Sequence, residues 1–343
     1  MSQNSRIIQA RQRVKPLGIH TAAGHLQKMQ RWKEISFLKE NNGQVPPFII
    51  SVGSRTRVLE APYLLGLKNW AFIDEEAKEK FGIGSFGRVS LCIGIAQAQE
   101  RKFPLMVAES QMGCPAAQIN VRELLYFADP GGYFLEGTRH KSDGLYVIRA
   151  GTCGGVNSKN PEEKKVAKIG DIAIAQESIG SVGTLIQSRF GALDFVQRDI
   201  SREVSGTSHF SPDRKHLATK SSKLVVEALV AAARANKIDF LSGANFTKDS
   251  LYAEMGEDDF AALRDKYGVV STEMEQMALD TLAHEFTSLG LPVHSGLVSA
   301  VIGAIPGKSF PETEEEHKRA KNAEENAVIL AKDALGGLAA RLL

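Results

Sequence analysis

The chain has 343 residues, and its 42 Lys plus Arg stand against 40 Asp plus Glu, a formal charge of +2. That balance excludes the global basic field of a nucleic-acid binder or of a protein held on an anionic membrane, so any anion site must be local. No uninterrupted apolar run approaches the roughly 20 residues that span a bilayer. Three cysteines, Cys92, Cys114 and Cys153, lack paired spacing, which argues against a disulfide framework and against a zinc site. The expectation is a cytoplasmic protein with no metal site, long enough to bury one large core or two modest ones.

Residues 1–46 are polar and basic. Their opening carries Arg6, Arg11, Arg13 and Lys15 with no acid, a bias shared with mitochondrial presequences but read here as a solvated, partly helical lead-in. It ends at Pro46-Pro47, which bars a helix from continuing. Then comes FIISVGS, a short apolar run closed by glycine. The same pattern returns in PLMVAESQMG, LYVIRAGTCGG, DIAIAQESIG, IDFLSGAN and LPVHSGLVSAVIG. Such runs, β-branched in part, predict strands buried in a sheet. Helical patterns lie between them, over 115–127, 221–236, 273–289 and 312–342. The charged segments 157–168 and 202–220 read as exposed loops. Alternating strands and helices predict an α/β fold built on a central sheet.

GIGSFGRVSL, residues 82–91, looks like the glycine-rich flap of a protein kinase. A kinase also needs H-R-D and D-F-G, and neither string occurs. Walker A is missing too, because GAIPGKS is one spacer short. What survives is a turn ending in Arg88.

The residues after the strands carry more information. In Gly53-Ser54-Arg55-Thr56-Arg57 a residue without a side chain lets backbone approach an anion, and a guanidinium four positions on can fork onto it. VIRAGTCGG supplies Arg149 and then Gly151, Thr152, Cys153, Gly154 and Gly155 in what reads as one tight turn. Both segments should open at the same sheet edge, where α/β proteins place ligands. Downstream, GVVSTEMEQMAL sets Glu273 and Glu275 around Met274 at an expected helix start. Acids there can serve the helix dipole. A carboxylate can equally accept from the vicinal hydroxyls of a ribose. Phosphate, sugar and an apolar shelf together describe a nucleoside site.

At this point the chain resembles the nucleoside phosphorylase I family, and within it the uridine phosphorylases, over residues 47–343. VIRAGTCGG followed by KIGDIAIAQESIG resembles the family's R-[IV]-G-T-x-G and G-D-[IV] strand. S-V-G-S-R-T-R resembles its first phosphate loop, N-F-T-K-D-S-L-Y its S-x-D-x-F-Y stretch, and T-E-M-E its ribose motif x-E-M-E. The resemblance implies a three-layer α/β/α sandwich with a central mixed sheet, formed as one domain over 47–343 behind a basic extension over 1–46. It implies a pentosyltransferase that carries out reversible phosphorolysis, in which phosphate attacks C1′, the base leaves and ribose 1-phosphate forms. No metal or organic cofactor is expected.

Carried over by position, Gly53, Arg57, Arg149 and Thr152 would hold phosphate, with Arg57, Arg149 and Glu275 the catalytic set. Glu273, Met274 and Glu275 would hold ribose, and Cys153 and Gly154 would lie at the base. The family draws one phosphate arginine and one histidine from a neighbouring subunit. Arg88 and His25 are the matching residues, so a homodimer at least is implied. Purine-specific members protonate the base with a late acid, whereas Leu297 to Gly307 contains no Asp or Glu, which favours uracil. Against this, Met255 and Glu257 stand where uridine phosphorylases carry Gln-x-Arg, and Gln187-Ser188-Arg189 is a candidate substitute. Uridine phosphorylase therefore leads. A purine or broad-specificity phosphorylase and a non-catalytic nucleoside-binding protein are the alternatives.

Overall fold

The computed structural model describes residues 45–72, 90–98, 100–128, 144–160, 166–180, 196–198, 216–249, 255–288 and 292–342. The expected basic extension lies outside them apart from residues 45 and 46, as do His25, Arg88, Gln187 and Arg189. In chain order the elements are β1 (Phe48–Val52), α1 (Arg55–Leu64), β2 (Lys68–Phe72), β3 (Leu91–Ala98), β4 (Arg101–Glu109), α2 (Cys114–Phe127), β5 (Leu145–Val156), β6 (Ile172–Gly180), β7 (Val196–Arg198), β8 (His216–Lys220), α3 (Lys223–Ala235), β9 (Phe240–Thr247), α4 (Glu257–Tyr267), β10 (Val269–Glu273), α5 (Gln276–Ser288), β11 (Val293–Ile305) and α6 (Glu314–Leu342).

The strands form one mixed sheet in the order β2-β3-β4-β1-β5-β10-β9-β6-β8-β7, and β11 pairs with both β5 and β6. This second pairing closes β5, β10, β9, β6 and β11 into a ring. Cys153, Ala173, Leu241, Val270 and Val301, one from each ring strand, meet with Ala167 and Ala304 in a small buried cluster, which fills the ring's interior.

Alternation along the strands assigns the layers. Phe48, Ile50 and Val52 of β1 and Tyr146, Ile148 and Ala150 of β5 share a core with Val58 of α1, Leu229 of α3 and Leu335 of α6. Within it Phe48 meets Phe103 edge-on and stacks on Tyr146. The intervening residues, Val147 and Arg149 among them, point to the other face, where α2 and α5 pack together. Arg122 joins those two helices through a two-pronged bond to Glu285, at 2.7 and 2.6 Å. The architecture is the expected α/β/α sandwich around a mixed sheet. Among the described residues no helix is long and apolar enough to cross a membrane.

All six strands expected from the apolar runs form, and the four helical patterns give α2, α3, α5 and α6. Four local expectations need correction. Residues 149–155 are not a tight turn but the continuation of β5, held between β10 and β11. Glu273 ends β10 instead of opening a helix, and α5 starts three residues later. Residues 216–220, expected as loop, pair with β6 as β8. Asn157 and Ala167, in the second expected loop, are buried and hydrogen-bonded to each other.

Candidate active site

Parallel pairing of β1 with β5 sets Ser51 against Arg149 and Val52 against Ala150, so the chain leaves β1 beside Gly151. A Cβ on Gly53 would lie 3.5 Å from the Arg149 guanidinium, and one on Gly151 3.6 Å from it. Glycine at both positions keeps that space open. Helix α1 begins directly after Ser54, has no acid in its first turn, and receives no side-chain cap from Ser54. Its first N–H groups thus retain the partial positive charge of a helix start.

Arg149 is only 5% exposed. Its Nη1 donates to Ser110 Oγ at 2.9 Å and its Nη2 to Glu275 Oε2 at 2.6 Å, while Nε has no hydrogen-bond partner among the described residues. The other oxygen of Glu275 accepts from the Gly113 backbone N–H at 2.7 Å. Gly113 donates from the left-handed region, at φ +87°, where glycine fits without strain. Gln111 shares that region at φ 62°, an uncommon conformation for a residue with a side chain. The turn between β4 and α2 thereby bends over the carboxylate. A carboxylate offers about four acceptor positions, so the two bonds to Glu275 leave room for sugar hydroxyls.

Glu273 has a different task. Its Oε2 accepts from the backbone N–H groups of Glu275 and Gln276, at 2.7 and 2.8 Å, and so caps the start of α5. Its Oε1 accepts from Asn245 Nδ2 at 2.7 Å and Thr247 Oγ1 at 2.6 Å. Burial, reinforced by the neighbouring Glu275, pushes this carboxyl up to about 7. Its hydrogen bonds orient Glu275.

These groups line one cavity of about 520 Å³. Gly53, Arg57, Arg149, Thr152, Cys153, Gly154, Glu273, Met274 and Glu275 all border it, so every site residue expected from sequence that falls within the described residues is brought together. Arg57 reaches it from α1, with Nη2 paired to Glu324 of α6 at 2.8 Å. Burial raises the Cys153 thiol to about 12, so it stays protonated wall.

Sequence reasoning missed several lining residues. Ser54, Gln111, Met112 and Lys248 also border the cavity, and Ile302, Ile305 and Phe310 give it an apolar wall. After β11 the chain doubles back so closely that a Cβ on Gly303 would sit 1.8 Å from the Ser309 carbonyl oxygen. Met255 and Glu257, the positions of the missing Gln-x-Arg, are not among the lining residues. Met255 packs on the core cluster containing Phe246 and Phe260, and Glu257 opens α4.

The cavity thus sets the Arg57 and Arg149 side chains beside a clamped carboxylate, next to a ring-closed part of the sheet. The chain belongs to the phosphorylase superfamily, whose sequence model matches residues 52–336, and it is an enzyme of the pentosyltransferase class. Curated protein sequences give no significant match. Among solved structures, the fold is similar to purine nucleoside phosphorylase from Toxoplasma gondii in complex with immucillin-H, at 19% identity and TM-score 0.56 over 87% of this chain and 93% of that one. It is also similar to uridine phosphorylase from Vibrio fischeri, at 17% identity and TM-score 0.53 over 85% and 92%. A Trypanosoma brucei nucleoside phosphorylase, described as showing uridine phosphorylase activity, aligns at 15% identity and TM-score 0.60 over 84% and 93%.

Proposed function

We propose that the chain catalyses reversible phosphorolysis of uridine to uracil and ribose 1-phosphate. The observation that carries this reading is the arrangement of one cavity, with Gly53, Arg57, Arg149 and Thr152 at one end and Met274 and Glu275 beside them. Phosphate held by the guanidinium groups would lie next to a sugar gripped by Glu275, positioned to attack C1′ and to stabilise the positive charge that grows on the ribose ring. Among the described lining residues the only carboxylates are Glu273 and Glu275. Glu273 is committed to the helix cap, so the apolar wall offers no acid to protonate a departing purine, which supports a pyrimidine.

The absence of Met255 and Glu257 from the cavity favours a second reading, a purine or broad-specificity phosphorylase, because the usual uracil-reading pair is not rebuilt there. Inorganic phosphate is the co-substrate, and the reaction requires no metal or organic cofactor. Assembly as at least a homodimer, with Arg88 and His25 completing a neighbour's site, belongs to the same proposal. So does a cytoplasmic location, which the three unpaired cysteines support.

Initial rates on uridine, thymidine, inosine and adenosine at saturating phosphate test the reading. Uridine is expected to be cleaved fastest. A preference for inosine or adenosine would replace it with the purine reading, and no turnover of any nucleoside would favour a binding protein.

A further inference from the structure

Lys248 directly follows β9 and lines the cavity. Its backbone N–H donates to the Glu273 carbonyl oxygen at 2.9 Å, which fixes its main chain beside the end of β10. Along this edge the strands run β1, β5, β10, β9. Gly53 and Arg57 follow β1, Arg149 and Thr152 lie on β5, Glu275 follows β10, and Lys248 follows β9. A ligand lying across these ends meets the arginines first, the carboxylate next and the lysine last. Neighbouring strands are about 4.8 Å apart, so three spacings along this curved edge span at most roughly 14 Å, room for a phosphate set against a nucleoside. Ile302, Ile305 and Phe310 line the same cavity and supply apolar surface for a flat ring.

Building on the phosphorolysis reading, we propose that Lys248 reads the base, its ammonium donating to a ring carbonyl oxygen and so selecting nucleosides whose base carries an oxo group where cytosine or adenine carries an amino group. An ammonium has three donors and no acceptor. It therefore pairs with an oxo oxygen and leaves an amino group unmatched. The same contact serves the chemistry. When the bond from C1′ to N1 of uracil breaks, its electron pair leaves with the base and spreads onto the carbonyl oxygens while a phosphate oxygen bonds to C1′. A cation beside one of those oxygens stabilises the departing anion, which takes a proton from water on release. Burial lowers the pKa of the ammonium and Glu273 opposes that shift, as befits a partly dehydrated cation. Lys248 would thus supply the positive charge that Met255 and Glu257 do not.

The test uses the full-length chain and its Lys248→Met and Lys248→Arg variants, with melting temperatures to check folding. Rates are measured on uridine against cytidine and on inosine against adenosine at saturating phosphate. The wild type is expected to favour the oxo member of each pair. Lys248→Met should lower kcat/KM for that member roughly ten- to a hundredfold, with the phosphate KM unchanged within about twofold and partial retention in Lys248→Arg. If cytidine and adenosine match their oxo counterparts, or Lys248→Met retains full activity on uridine, Lys248 does not read the base, and phosphate-dependent cleavage stands without it. If no nucleoside is cleaved, the phosphorolysis reading falls and calorimetry with uracil and hypoxanthine decides. Binding weakened about tenfold or more in Lys248→Met supports the assignment, and equal or absent binding in both proteins overturns it.

Discussion

Arg149 and Glu275 are each about 95% buried and ion-paired, so the pair is scaffold as well as the proposed centre of the chemistry. Removing one partner of a buried ion pair typically costs about 3–5 kcal/mol. Alanine at either position would therefore report unfolding as much as function, and conservative variants read the roles more cleanly. Glu275→Gln keeps the shape but weakens acceptance from sugar hydroxyls. Its kcat/KM for the nucleoside is expected to fall roughly ten- to a hundredfold. Arg149→Lys replaces a planar fork with a point charge that fails to span Ser110, Glu275 and an incoming anion together. Here the phosphate KM should rise about tenfold or more, measured in initial-rate kinetics with phosphate varied. An unchanged phosphate KM in Arg149→Lys would take the anion away from this guanidinium. Both residues were readable from sequence because glycines surround one and a compact acidic motif holds the other. The turn Ser110 to Gly113 was not, since nothing local announces that its hydroxyl and its N–H converge on side chains 39 and 162 residues away.

At the scale of elements, Glu273 links β10, β9 and α5 through four accepted hydrogen bonds. A pKa raised to about 7, above the ordinary 4.5, means that the folded chain holds this proton more tightly than the unfolded one. Stability from this group is therefore full below about 4.5 and declines as pH rises to about 7, by up to about 3 kcal/mol. Asp280, which burial raises to about 6, acts in the same direction. Denaturant unfolding at pH 5 and pH 7.5 should show a steeper loss in the wild type than in Glu273→Gln. Identical slopes would mean that Glu273 titrates as an ordinary exposed carboxyl. The apolar runs revealed most strands, but the boundary between β10 and α5 was misread because Glu273 satisfies a helix-start pattern while its backbone completes a strand. Short β8 was hidden for another reason: only Leu217 and Ala218 of its five residues are apolar, and its place is set by pairing with β6.

For the whole molecule, alternating strand and helix patterns were enough to predict a layered α/β fold. The ring closed by β11 was not legible, because it depends on that strand pairing with two others, β5 and β6, that lie far upstream of it. That closure matters for function. It brings the apolar wall from Ile302 to Phe310 into the cavity that Arg57, Arg149 and Glu275 line, the arrangement on which the proposed phosphate and sugar sites rest. Titrating phosphate into the protein with uridine, and following products by phosphorus NMR, tests this most directly. The expected result is no cleavage without phosphate, a rate that saturates as phosphate rises, and ribose 1-phosphate formed in equal amount to uracil. Free ribose released at the same rate in phosphate-free buffer would contradict it.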